Sequence, residues 1–170
     1  MVGAPSEFDD LTPAEQVEKY DRLFGIVADG VIGAAGGLVG TALMTGVLFI
    51  AASMGAFSFE SFASLTLPIG LTDVASPVTV GYLIFLANGM VPFPLLFAAL
   101  MEYLPGERPP VSGLFFGAAL WTGFAMGFYT GFQGLALVLY LGFTLIAHLV
   151  YGFSLGAVFE YLANRPDSLV

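Results

Sequence analysis

The stretch that decides the fold is residues 109–159, PPVSGLFFGAALWTGFAMGFYTGFQGLALVLYLGFTLIAHLVYGFSLGAVF, which contains no Asp, Glu, Lys or Arg. A helix needs about 20 apolar residues, at 1.5 Å rise each, to cross a hydrocarbon core of about 30 Å. A run of 51 residues therefore holds two crossings. Gly131-Phe132-Gln133-Gly134 leaves only a short turn between them, so the two helices are antiparallel neighbours. Working outward, residues 30–59 and 74–101 are also free of charge. The pattern predicts an all-α fold, a four-helix transmembrane bundle with spans at about 31–54, 79–103, 112–130 and 135–162. Residues 1–30 are expected to form an acidic cytoplasmic segment with an amphipathic helix, and 163–170 a cytoplasmic tail.

The totals agree. Hydrophobic residues make up 58% of the chain and charged residues 10%, against roughly 25% charged in soluble domains; mean hydropathy is +0.90. There is no cysteine, which removes disulfides, thiolate metal sites and cysteine nucleophiles. One histidine cannot build an all-histidine metal site within one chain. Thirteen acidic residues stand against four basic ones, so there is no basic patch for a nucleic acid. The acidic, lysine-poor composition is that of halophilic proteins, whose carboxylates hold water when salt screens charge.

The first residues lack the basic flank and cleavage site of a secretory signal. Thr12-Pro13-Ala14-Glu15 reads as a capping box with proline at the first helical position. Val17, Tyr20, Leu23, Phe24 and Val27 then form one apolar stripe, a helix lying on the membrane surface or on a partner. Lys19, Arg22, Arg108 and Arg165 all fall on one side of a four-crossing chain. The positive-inside rule makes that side the cytoplasm, with both termini there and the chain multi-pass in the cell membrane.

Small residues mark the helix contacts. Gly33/Gly37 and Gly36/Gly40 are two overlapping pairs in the first span. Gly113, Gly117, Gly123 and Gly127 follow in the third, and Gly152 and Gly156 in the fourth. Such faces let backbones approach closely. In the second span Pro92 and Pro94 follow Asn88-Gly89 and predict a kink. Phe57, Phe59, Phe62, Leu65 and Leu67 are too apolar for a water-exposed loop and predict a short helix tucked against the bundle.

His148 lies near the centre of the last span, with Thr144 and Tyr151 on its side of the helix. An ionisable group at that depth is a functional hypothesis by default. Its chemistry suits proton relay, haem or copper ligation, or contact with a quinone carbonyl. The structural alternative is interhelical glue, with Asn88, at similar depth, the obvious partner. Met44, Met90 and Met126 are available as second haem ligands, but no spacing points to one. No nucleophile elbow or paired zinc ligands occur, so no catalytic or metal-binding residue is assigned.

Gly37-Leu38-Val39-Gly40-Thr41, Leu104-Pro105-Gly106 and above all His148-x-x-Tyr151-Gly152-x-x-x-Gly156 resemble a family of small four-helix membrane proteins of unknown function from bacteria and haloarchaea. The resemblance covers about residues 30–160 and implies the four-helix fold. Family members often carry a second histidine in the second span, where this chain has Phe85 and Gly89. The expected role is a non-catalytic accessory or scaffold subunit of a larger membrane complex, plausibly respiratory. Membrane lipid surrounds it, and larger subunits or further copies of the chain are its partners. The alternatives are a small oligomeric transporter or channel with a mid-membrane Asn88/His148 site, and an electron-transfer subunit in contact with haem or quinone.

Overall fold

The computed structural model describes residues 12–71 and 76–163. They form helices α1 (Pro13–Ser53), α2 (Pro77–Met90), α3 (Pro92–Leu100), α4 (Pro109–Gly127) and α5 (Gly134–Ala163), with a 3-10 helix (Phe59–Thr66) between α1 and α2. Among the described residues four stretches are long and apolar enough to cross a membrane: Gly30–Ser53, Pro77–Leu100, Pro109–Gly127 and Gly134–Leu162.

Local chemistry explains most boundaries. Thr12 caps α1: its hydroxyl oxygen accepts from the Glu15 amide at 3.4 Å, and Glu15 Oε2 accepts from the Thr12 amide at 2.8 Å. The bonds from Thr12 hold the Glu15 carboxyl below its usual range. The expected amphipathic helix is not a separate element, because α1 runs unbroken through it to Ser53. Nothing between Asp29 and Gly33 interrupts the hydrogen-bond ladder, and Val17 and Tyr20 stand exposed. Residues 1–11 and the expected tail beyond Ala163 lie outside the described residues.

The second span is broken as its prolines require. Val91, at φ −122° and ψ −71°, separates α2 from α3. The third span begins at Pro109 rather than 112 and ends at Gly127 rather than 130. Pro109 and Pro110 belong to its first turn, where a missing N–H costs nothing and φ is already helical.

The helices are antiparallel neighbours in the order α2/α3, α1, α5, α4. Along α1, Gly33 faces Pro94 and Gly37 faces Gly89, while Gly36 faces Leu155 and Gly40 faces Tyr151. The two overlapping pairs thus serve two different partners. Along the α4–α5 seam, a Cβ on Gly113 would strike the Gly152 carbonyl, one on Gly117 the His148 carbonyl, and one on Gly156 the Pro109 carbonyl. Gly123 and Gly127 do not share this role, since nothing lies within 4 Å of where their Cβ atoms would stand. The step from Gly117 to Gly123 is six residues; at about 100° per residue it carries Gly123 well off the seam.

At one end of the molecule Arg108, which precedes α4, donates from Nε and a terminal nitrogen to the two Glu160 carboxylate oxygens at 2.8 and 3.0 Å. The pair holds the Arg108 guanidinium even more firmly charged than usual. The Arg108 side chain is 70% exposed, and exposed ion pairs contribute little. Arg108→Gln is expected to leave the thermal midpoint in detergent unchanged within scatter, at low and at high salt. A clear drop that salt abolishes would show that the pair holds the ends of α4 and α5 together.

At the opposite end the 3-10 helix packs against α2. Its helix type follows from a three-residue apolar repeat, Phe59, Phe62 and Leu65, because residues three apart eclipse in this geometry. The intervening hydroxyls satisfy the local carbonyls: Ser61 donates to Ser58 O, Ser64 to Ser61 O and Thr66 to Ala63 O. Glu60 stays exposed and bonds the Ser58 hydroxyl, which holds its carboxyl below the usual range.

Candidate functional site

Three of the four polar residues singled out in the sequence converge on one space. A cavity of about 400 Å³ is lined by His148 and Tyr151 of α5 and by Asn88 and Gly89 of α2. Thr41 and Met44 of α1 also line it, with Phe93 of α3 and residues 119–120, 122–124 and 128 on the α4 side. It lies between α2/α3 and α4. These helices reach each other through rings, Phe85 to Phe124 at 6.2 Å and Phe97 to Phe116 at 5.3 Å. Ala119, Thr122 and Gly123 line the cavity and are themselves exposed, so it opens sideways through the α4 flank.

Each polar wall group is placed by its own helix. Asn88 Nδ2 donates to Ile84 O at 2.8 Å, and His148 Nδ1 is 2.7 Å from Thr144 O. A carbonyl only accepts, so Nδ1 carries the hydrogen and Nε2 is left with a lone pair. The expected Asn88–His148 bond is not made: each residue instead bonds the preceding turn of its own helix, and neither is interhelical glue through this contact. The Phe124 ring meets the imidazole edge at 4.6 Å. His148 is only 4% exposed. No buried polar side-chain atom among the described residues lacks a partner. Nε2, which makes no hydrogen bond to the described residues, is therefore the edge that reaches the cavity.

The interhelical bonds are made by residues the sequence reading placed beside His148 or left open. Tyr151 donates to Gly89 O at 2.8 Å, next to the carbonyls that Pro92 and Pro94 leave without a backbone donor. Trp121 Nε1 donates to Thr144 Oγ1 at 3.0 Å, which turns the only tryptophan inward. Thr144 itself does not line the cavity; it is fully buried and bonds Tyr140 O at 2.6 Å. On α1, Thr45 bonds the Tyr82 hydroxyl at 3.0 Å. The Tyr82 contact had no signal in the sequence beyond an aromatic hydroxyl near a span end.

Among the described residues no three His, Asp or Glu side chains come together. Glu102 is exposed, Glu160 pairs with Arg108, and the Asp29 side chain lies outside what is described.

Four helical stretches long and apolar enough to cross a membrane define a multi-pass helical membrane protein, with a largely apolar recess between them. The chain belongs to the family described as "Family of unknown function (DUF6789)", whose family model matches residues 27–170. No curated protein and no solved structure matches it.

Proposed function

We propose that the protein is a non-catalytic accessory subunit of the cell membrane that holds a small apolar molecule in its lateral cavity. The observation that carries this reading is the cavity itself: about 400 Å³, mostly apolar, with a few convergent polar atoms and an open flank. That volume and lining are typical of small-molecule sites. A transporter or channel would want a polar lumen, and among the described residues the wall offers only two hydroxyl-bearing threonines, Tyr151, Asn88 and His148.

The architecture in this reading is a four-helix bundle with both termini in the cytoplasm. Lys19 and Arg108 support the orientation, since α1 begins and α4 begins at the same end. The exposed apolar stripe at the start of α1, with Val17 and Tyr20, is then a cytoplasmic contact for a larger subunit or the membrane surface. The acidic, lysine-poor composition supports a salt-rich habitat.

Native mass analysis after extraction in mild detergent tests this reading. One retained small molecule per chain, together with stoichiometric larger subunits, is the expected result. Gly123→Leu should expel the molecule, because Gly123 lines the cavity and a leucine there adds bulk at its wall, with nothing within 4 Å of the Cβ position to clash against, while the α4–α5 seam stays intact. A bare chain of unmodified mass, or a homo-oligomer that retains nothing, would overturn the proposal.

A further inference from the structure

Counting hydrogens around the cavity wall narrows what it can hold. The five polar residues that line it are Thr41, Asn88, Thr122, His148 and Tyr151. Every hydroxyl hydrogen among them is already committed. Thr41 donates to Gly37 O at 2.6 Å, Thr122 to Ala119 O at 2.7 Å, and Tyr151 to Gly89 O at 2.8 Å. The His148 ring hydrogen goes to Thr144 O and one Asn88 amide hydrogen to Ile84 O. Among the described residues no carboxylate lines the cavity, so a charged imidazole would stand unpaired in apolar surroundings; the ring is neutral. What remains for a guest is a set of acceptors, namely the His148 Nε2 lone pair, the Asn88 carbonyl oxygen and the lone pairs of the three hydroxyl oxygens, and a single donor, one Asn88 N–H. A carbonyl group can use only the last of these. A hydroxyl can use both sorts, donating to Nε2, Oδ1 or a hydroxyl oxygen and accepting from the amide.

The rest of the wall fixes the shape. Phe85, Phe93, Phe124 and Phe128 present rings to the space, and rings prefer offset or edge contacts with other rings. An apolar cavity of about 150 Å³ already takes benzene, so this one has room for a substituted ring. Its opening lies on the flank of the transmembrane helices, which favours a guest dissolved in the bilayer over one from water.

We infer that the cavity binds an apolar phenol, the class that includes ring-substituted hydroquinones, with the ring among the phenylalanines and the hydroxyl donating to His148 Nε2. This rests on reading the cavity as a ligand site. It replaces the contact expected from sequence, an imidazole donating to a quinone carbonyl, because the imidazole hydrogen is spent on Thr144.

The probes are para-tert-butylphenol and its methyl ether, which has the same body and no donor. They are titrated into the full-length protein in detergent micelles. The nitrogen NMR signals of the single histidine assign themselves and report the contact directly. Without probe, the spectrum should show a neutral ring protonated on Nδ1. The phenol should then shift Nε2 saturably and bind about tenfold more tightly than the ether, the effect of one satisfied buried acceptor. His148→Phe should erase that preference, leaving both probes at the level of the ether. Asn88→Leu should reduce it, and serves as the variant of record if the histidine variant does not fold. Equal binding of both probes by the wild type, with Nε2 unmoved, overturns the phenol assignment and leaves the cavity reading standing. Failure of either probe to bind in a way that Gly123→Leu abolishes overturns both.

Discussion

Gly152→Leu is expected to cost more than about 3 kcal/mol and to leave little folded protein in detergent. The reason is that its obstacle is backbone. A Cβ at Gly152 would run into the Gly113 carbonyl, and one at Gly113 into the Gly152 carbonyl. A side chain in the way can change rotamer, whereas a helix carbonyl can move only if the whole helix moves. Relief would require α4 and α5 to separate along the seam that runs from Pro109/Gly156 to Gly117/His148. Separation would also shift the His148 backbone, whose carbonyl sits over Gly117, and so displace the imidazole from the cavity wall. Gly142→Ala in the same helix is the control, because nothing stands within 4 Å of its Cβ position. It should be neutral or stabilising by up to about 1 kcal/mol, as the better helix former. Thermal and denaturant unfolding of the two variants side by side measures the contrast. Equal stability would mean that α4 and α5 are not in backbone contact at this point.

That seam also shows what the sequence could and could not reveal. Charge-free runs gave the number of spans because a lipid solvent forbids unpaired charge over about 20 residues. Four-residue glycine spacings gave the seams, yet Gly123 and Gly127 look identical to Gly113 and Gly117 in spacing and differ only in phase around the helix. Reading the six-residue gap between Gly117 and Gly123 would have separated them. His148, Asn88 and Tyr151 were legible as a site because polar residues at membrane depth are rare. Their bonding was not, since side chains that fold back onto the preceding turn need no partner on another helix, as His148 and Asn88 do. The cavity had no sequence signal. It exists because α2/α3 and α4 carry phenylalanines where they face each other, and rings hold backbones apart where glycines would let them close. The continuity of α1 was hidden by the change from a charged to an uncharged surface at Asp29, which alters the solvent of a helix without ending it.

Those rings lead to the second large effect, Phe62→Ala, expected to destabilise the protein by about 3–5 kcal/mol. Phe62 is fully buried and sits at the centre of an aromatic cluster. Its ring lies 4.9 Å from Phe85, 5.2 Å from Phe128, 5.4 Å from Tyr82 and 5.8 Å from Phe57, centroid to centroid. Four neighbours on three separate segments, Phe57 before the 3-10 helix, Tyr82 and Phe85 on α2 and Phe128 at the end of α4, cannot collapse together into the space it leaves, so the cavity term is added to the lost burial. The approach of α2 is fixed from the other side as well, because Gly81 lies against the Phe62 carbonyl. Phe59, only partly buried on the same face, should cost less when cut to alanine. Phe85 and Phe128 belong both to this cluster and to the wall of the His148 cavity, so the void made by Phe62→Ala should join that cavity and enlarge it. The variant should therefore unfold at lower temperature and bind para-tert-butylphenol more weakly, with the preference over the ether retained because His148 and Asn88 are untouched. A loss below about 1 kcal/mol would mean that the 59–66 helix is a surface segment rather than the plug that closes one end of the site.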